Sequence, residues 1–257
     1  MKKVSYILLL MWNIPFYPNI IREKLEPYRS YLIDGTYAQQ DWSSFSEKPL
    51  SRYETFLKAF ELFEQHNGKI VVELGTTHSF VDGRFEGCDK SDIKYWQPNN
   101  PAVWDWGAGC FTLMAARSLF HLHPKIYTVD LNPAAIIRCK IMTIDYKDII
   151  LYHTESSERF LDQFPKDKKI DLLYLDTGYM NPIEPTAMLQ LREAKKVIER
   201  NLLAPDGIIL IDDVRNQNVL QNKSGWGKSK YAIPYLREQG FEIIVDGYQV
   251  IMKRKTH

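Results

Sequence analysis

The sequence predicts an α/β fold. It is a doubly wound, mostly parallel seven-stranded sheet with an antiparallel C-terminal hairpin, preceded by an N-terminal helical and irregular cap. Three observations carry this. From Lys69 onward, short β-branched runs alternate with amphipathic stretches, the rhythm of successive strand–helix units. Val71 and Val72 stand side by side in Ile70–Leu74, which suits a strand buried on both faces. Asp246-Gly247 lies between two apolar runs, a hairpin signal.

The bulk properties agree. The chain has 257 residues, enough for one large domain with an appendage. We divide it into a cap segment, 1–50, and a main domain, 51–257, with an insert at 78–104. Hydrophobic residues make up 45% and charged residues 25%, a composition that buries a core. Lys and Arg total 33 against 32 Asp and Glu, so no global charge favours nucleic acid. Three cysteines without a CxxC pair fit a reducing, cytoplasmic setting and no zinc site. Lys2-Lys3 precedes the apolar run Val4–Trp12, which is too short to span a bilayer and has no small-residue cleavage site after it. It reads as a strand or helix packed on the body or on a partner, including a homo-oligomer contact, with a membrane-surface segment as the alternative.

The elements follow in order. Pro18 starts a short helix, Asn19 to Leu25, which Pro27 breaks. Asp34-Gly35-Thr36-Tyr37 reads as a turn. Ser51-Arg52-Tyr53-Glu54 is a capping box, and Phe56, Phe60 and Phe63 give the helix it opens an apolar face ending near Asn67-Gly68. Strand Ile70–Leu74 is followed, beyond the insert, by helix 111–120 and strand 125–130. Asn132 caps a helix with Pro133 at its first position. Then come strand 148–152, helix 158–163, strand 170–176 and helix 186–202. In that last helix Met188, Leu191, Ala194 and Ile198 are expected inward, and Arg192, Glu193, Lys196 and Glu199 outward. Strand 207–212, helix 231–239 and the hairpin 241–252 close the chain.

In an open α/β sheet, ligands bind beyond the carboxyl ends of the strands. Those ends read Glu73-Leu74-Gly75, Asp130, His153 to Ser157, Asp176 and Asp212-Asp213. Nearly every end is acidic. Gly107-Ala108-Gly109 opens a helix whose N-terminal amides would face a ligand. Asp130 follows Gly109 by 130 − 109 = 21 residues. That is close to the spacing of about 20 at which a carboxylate accepts the ribose hydroxyls of a nucleotide-like cofactor. The cofactor cradle can be assembled in two ways. Either Ile70–Leu74 is the first strand with a long insert before its helix, or Ala102–Asp105 is itself that strand. The β-branched content of Ile70–Leu74 favours the former.

Taken together, about Ile70 to Lys255 resembles a class I S-adenosylmethionine (SAM)-dependent methyltransferase, with the Rossmann-like sheet of that family. The pattern is similar to small-molecule O-methyltransferases of the catechol O-methyltransferase type. Glu73-Leu74-Gly75 with Gly109–Leu113 resembles the family's first motif, split by the insert. Thr128-Val129-Asp130 resembles its ribose-binding strand end, and Glu155–Glu158 falls where the family contacts adenine. Asp171–Asp176 and Gly207–Asp213 match the fourth and fifth strands, and the closing hairpin matches its reversed last strand, which dehydrogenases lack. The resemblance implies SAM as cofactor, held by Glu73, Gly75, Thr76, Gly107, Gly109, Asp130, Ser156, Ser157 and Asp176. It implies methyl transfer to a small polar acceptor such as a hydroxyl, with Asp176, Asp213 and His78 as candidate catalytic groups. In the metal-dependent branch, Asp176, Asp212 and Asp213 would hold Mg²⁺. Here no lysine follows Asp176 in the family's base position, and Val214 replaces the usual asparagine, so metal use stays open.

The general base has further candidates in Asp82, His153 and Tyr179. The insert reads as a lid in which Trp96, Trp104 and Trp106 shape the acceptor pocket, or as a packed loop. A second polar loop, 218–230, carries Lys223, Lys228 and Lys230 among glycines. It either closes over an anionic group or is simply solvated. The competing functions are a catalytically silent cofactor-binding or interaction module and an NAD-dependent oxidoreductase. The expected partner is a small-molecule substrate, with no nucleic acid and no membrane span.

Overall fold

The structure, a computed structural model, describes residues 19–37, 48–76, 99, 111–215 and 225–255. The Val4–Trp12 run, most of the insert and the alternative strand 102–105 lie outside the described residues. Seven strands form one sheet: β1 (Ile70–Leu74), β2 (Lys125–Asp130), β3 (Ile150–Thr154), β4 (Ile170–Leu175), β5 (Leu203–Ile211), β6 (Phe241–Asp246) and β7 (Val250–Arg254). Their order is β3-β2-β1-β4-β5-β7-β6. β1 to β5 pair in parallel, and β7 runs antiparallel between β5 and β6. The predicted doubly wound sheet with a reversed strand is therefore the fold.

Alternation along the central strands separates two apolar layers. Val71, Leu172, Tyr174 and Ile208 face one side, Val72, Leu173, Leu175 and Ile209 the other, and all are buried. The first layer is covered by α1 (Ile20–Leu25), α2 (Arg29–Tyr37), α3 (Arg52–Gln65) and α4 (Phe111–Leu119). Its centre is aromatic: Phe111 stacks on Tyr174 at 4.2 Å between centroids, and Phe56 meets both rings edge-on. The second layer is covered by α6 (Ser157–Gln163), α7 (Ile183–Glu199) and α8 (Ala232–Glu238). α5 (Pro133–Met142) links β2 to β3, capped by Asn132, which accepts from the Ala134 N–H at 3.0 Å.

Several local expectations change. Residues 34–37 do not turn: α2 runs through Gly35, which is buried, and the Thr36 hydroxyl bonds back to the Leu32 carbonyl at 2.6 Å. Tertiary packing overrides the turn composition there. β3 lies two residues later than expected, because pairing sets its register: Ile126 opposes Ile150 and Asp130 opposes Thr154. α7 begins a turn early and stops at Glu199, with Asn201 left-handed just beyond. Its inward face differs too. Glu193 is fully buried and Met188 is 41% exposed. The stripe facing the sheet is Thr186, Ala187, Gln190, Glu193, Ala194 and Val197. Among the described residues, no helix is long and apolar enough to cross a membrane.

Candidate active site

The site follows from topology. β1 lies between β2 and β4, so the chain winds in opposite directions on its two sides. At this switch point Gly75 leaves β1 with φ +89°, and a Cβ there would lie 2.6 Å from the Asp176 backbone. Glycine is needed on both counts, and it brings the loop after β1 directly against the end of β4. The Gly75 N–H reaches back to the Val129 carbonyl of β2 at 3.0 Å. Three strand ends therefore meet at one point.

On the β2 side the predicted residues have these surroundings. Asp130 is half-buried, and its Oδ1 accepts from the Asn132 N–H at 2.7 Å. A carboxylate offers about four acceptor sites, a capacity that suits a diol. Thr76 is buried, its hydroxyl bonded to that of Thr128. Glu73 is fully buried. Its Oε2 accepts from Thr112 and, at 2.6 Å, from Thr128. Its Oε1 has no partner among the described residues. Burial pushes Glu73 up to about 7, against the pull of the two threonine hydroxyls. Ser156 caps α6, accepting from the Arg159 N–H at 3.3 Å, while Ser157 donates to Glu193 of α7. Glu193 also accepts from Thr177 at 2.8 Å, and burial raises it to about 7. His78, Asp82, Gly107 and Gly109 lie outside the described residues, as do Trp96, Trp104 and Trp106.

On the β4/β5 side stand Asp176, Asp212 and Asp213, with one carboxylate oxygen of each within 4.8 Å of the others. Two cations are already among them. Lys228 Nζ lies 2.6 Å from Asp176 Oδ1 and 3.0 Å from Asp213 Oδ2. Arg52, at the start of α3, donates from Nε and Nη2 to the two oxygens of Asp212 at 3.1 and 2.9 Å. Its Nη2 also meets Asp213 Oδ1 at 3.0 Å. The guanidinium sits over the Tyr248 ring at 4.4 Å. Because β7 is reversed, its entry lies at this edge: the Tyr248 hydroxyl donates to Asp213 at 2.8 Å, and Gln249 Nε2 donates to Asp212 at 2.9 Å.

The charges respond. Burial disfavours the Lys228 ammonium, but Asp176, Asp213 and Asp212 overcome this and hold its pKa well above the ordinary lysine value. Burial would likewise raise Asp213, yet Lys228 and Arg52 bring it down to about 2. Asp176 moves the other way. Burial and its two acidic neighbours raise it against the pull of Lys228, so it takes a proton before Asp213 as pH falls.

The three carboxylates match the predicted magnesium ligands by position, but as they stand they do not fit the ion. Lys228 Nζ stands between Asp176 and Asp213 at the distances such an ion would need, so the ion and the ammonium cannot share the place. Lys228 was read from sequence as part of a solvated or anion-closing loop. It is instead 2% exposed and belongs to the acid cluster. Arg52, Tyr248 and Gln249 were seen only as capping-box and hairpin residues. Glycine at 225 and 227 around Trp226 was the one signal that Lys228 sits in a tight, packed turn.

This sheet order, with glycine at the switch point, an acid ending β2 and a reversed β7, is the fold of class I SAM-dependent methyltransferases. The chain superposes on the SAH-bound methyltransferase PaMTH1 of Podospora anserina with a TM-score of 0.51 and 15% identity, over 93% of this chain and 89% of that one. The O-methyltransferase TomG of Streptomyces achromogenes, in complex with SAM, gives 0.49 at 9% identity, over 92% and 90%. The Bacillus cereus O-methyltransferase in complex with SAH gives 0.48 at 13%, over 88% and 89%. At 15% identity the likeness to PaMTH1 is one of fold. No protein-family model matches the chain, and no curated protein matches it.

Proposed function

We propose that this protein is a SAM-dependent methyltransferase that methylates a hydroxyl of a small polar acceptor. The observation that carries the reading is the junction of three strand ends, where Gly75 packs against the Asp176 backbone beside Asp130. Asp130 accepts the ribose hydroxyls, Gly75 and Thr76 let the backbone approach, and Ser156 stands at the adenine end. Gly107 and Gly109 complete the cradle. The donor set suits the cofactor: a half-buried carboxylate for a diol, next to a glycine turn free of side chain.

When bound, SAM supplies a methyl group already activated by its sulfonium sulfur. The chain's residues then have two tasks. They hold the acceptor oxygen in line with the methyl carbon, and they take the hydroxyl proton as the new C–O bond forms and the C–S bond breaks. Asp176 is the proton acceptor that the charges favour, because burial raises its affinity for a proton, and Lys228, 2.6 Å from its Oδ1, stabilises the ionised form that accepts one. Asp213, held near 2 by two cations, positions its neighbours rather than accepting the proton. His78 is the alternative base from the insert.

The test pairs calorimetry with a transfer assay. Purified protein binds SAM in the micromolar range, and a panel of hydroxylated small molecules yields a product heavier by one methylene. Absence of SAM binding, where a control methyltransferase binds, contradicts the reading. Asp176→Asn abolishes transfer; retention of transfer removes Asp176 as the base.

A further inference from the structure

We propose that Lys228 is the resident cation of the acid cluster, filling by a side chain the place a divalent metal would take between Asp176 and Asp213. The cluster would then be a closed set of fixed charges: three carboxylates held by one ammonium and one guanidinium.

The contact is built into the fold. Gly227, with φ +52°, passes so close to the end of β5 that a Cβ would come within 2.2 Å of the Asp213 carbonyl oxygen. That approach delivers the next residue, Lys228, into the cluster. Both flanks are pinned. The Ser229 hydroxyl donates to Gln190 of α7, and Gln190 holds the Thr177 carbonyl at 3.2 Å, one residue beyond Asp176. Arg215 stacks on Trp226 at 4.1 Å and bonds the Gly225 carbonyl at 2.9 Å. Arg52 is fixed as well: its N–H donates to Thr36 at 3.0 Å, and its side chain lies on Tyr248.

Mg²⁺ or Ca²⁺ bonds its oxygens at about 2.0–2.6 Å. Lys228 Nζ already stands at 2.6 and 3.0 Å from the oxygens such an ion would need. Binding would require expelling an ammonium that is 2% exposed. With Lys228 and Arg52 in place, the three carboxylates already have two cations within 2.6–3.0 Å, so a dication would have to displace the buried ammonium rather than join it. The positive charge beside the proposed proton acceptor is thus covalently part of the chain.

The experiment reads ion binding directly, so its failure is distinct from a failure of the methyl-transfer reading. EDTA-stripped wild-type protein, Lys228→Met, Lys228→Ala and Lys228→Met with Asp176→Asn are titrated with Mn²⁺ and followed by electron paramagnetic resonance. Folding is checked by circular dichroism. The expected result is no site in the wild type up to millimolar Mn²⁺, a site at least tenfold tighter in the folded single variants, and its loss in the double variant. Submillimolar binding by the wild type that Asp176→Asn removes would overturn the proposal, and that measurement needs no Lys228 variant to fold. Folded Lys228 variants that gain no site would overturn it equally.

Discussion

The two halves of the carboxyl edge bury acids in different ways. On the β1/β2 side Glu73 is surrounded by hydroxyls, from Thr112 and Thr128. On the β4/β5 side Asp212 and Asp213 are surrounded by Arg52, Lys228, Tyr248 and Gln249. Hydroxyls satisfy hydrogen bonds but cancel no charge, so burial wins and Glu73 rises to about 7. Cations cancel the charge, so Asp213 falls to about 2. Under the proposed function, the hydroxyl-lined half would cradle the cofactor and the ionic half would present fixed charge to the acceptor.

The largest expected effect breaks the ionic half. Lys228→Met leaves Asp176 and Asp213 without their shared cation. Removing one partner of a buried ion pair costs about 3–5 kcal/mol, which denaturant unfolding would register. A loss under 1 kcal/mol would mean that the cluster relaxes to solvent.

The second effect contrasts the halves by pH. Between its ordinary 4.5 and about 7, folded Glu73 keeps a proton that the unfolded chain has lost. Stability is therefore lost as pH rises through that window. Asp213 works oppositely: its contribution is present above 3.8 and is lost as pH falls toward about 2. Glu73→Gln removes the first slope, so the variant gains on wild type by up to roughly 3 kcal/mol between pH 4.5 and 8. Parallel melting curves at both pH values would contradict the assignment.

The smallest effect calibrates the rest. Arg192 pairs with Glu158 at 2.9 Å on the surface. Arg192→Ala is expected to change stability by less than about 1 kcal/mol, measured by the same denaturant series.

What the sequence showed, and what it hid, follows from the range of the interactions. Ile70–Leu74, the Asn132-Pro133 helix start and the Asp246-Gly247 hairpin are local signals, and each is found in the structure. Positions of the strand-end acids were legible because a parallel sheet aligns them. Their partners were not. Arg52 lies 160 residues from Asp212, and Lys228 lies 52 from Asp176. Neither distance leaves a periodic trace. Glu193 was misplaced because a charged residue on a helix reads as solvent-facing, while its donors, Ser157 and Thr177, come from other elements. The residue types gave the chemistry of each edge; only the fold gave the pairing.

The central claim is that the β2 end holds the ribose of SAM. Titration calorimetry of wild type against Asp130→Ala tests it most directly. Hydrogen bonds to a charged group are worth about 1.5–3 kcal/mol, so the variant's affinity for SAM is expected to fall by about 10- to 100-fold with its fold intact. An affinity equal to wild type would contradict the account.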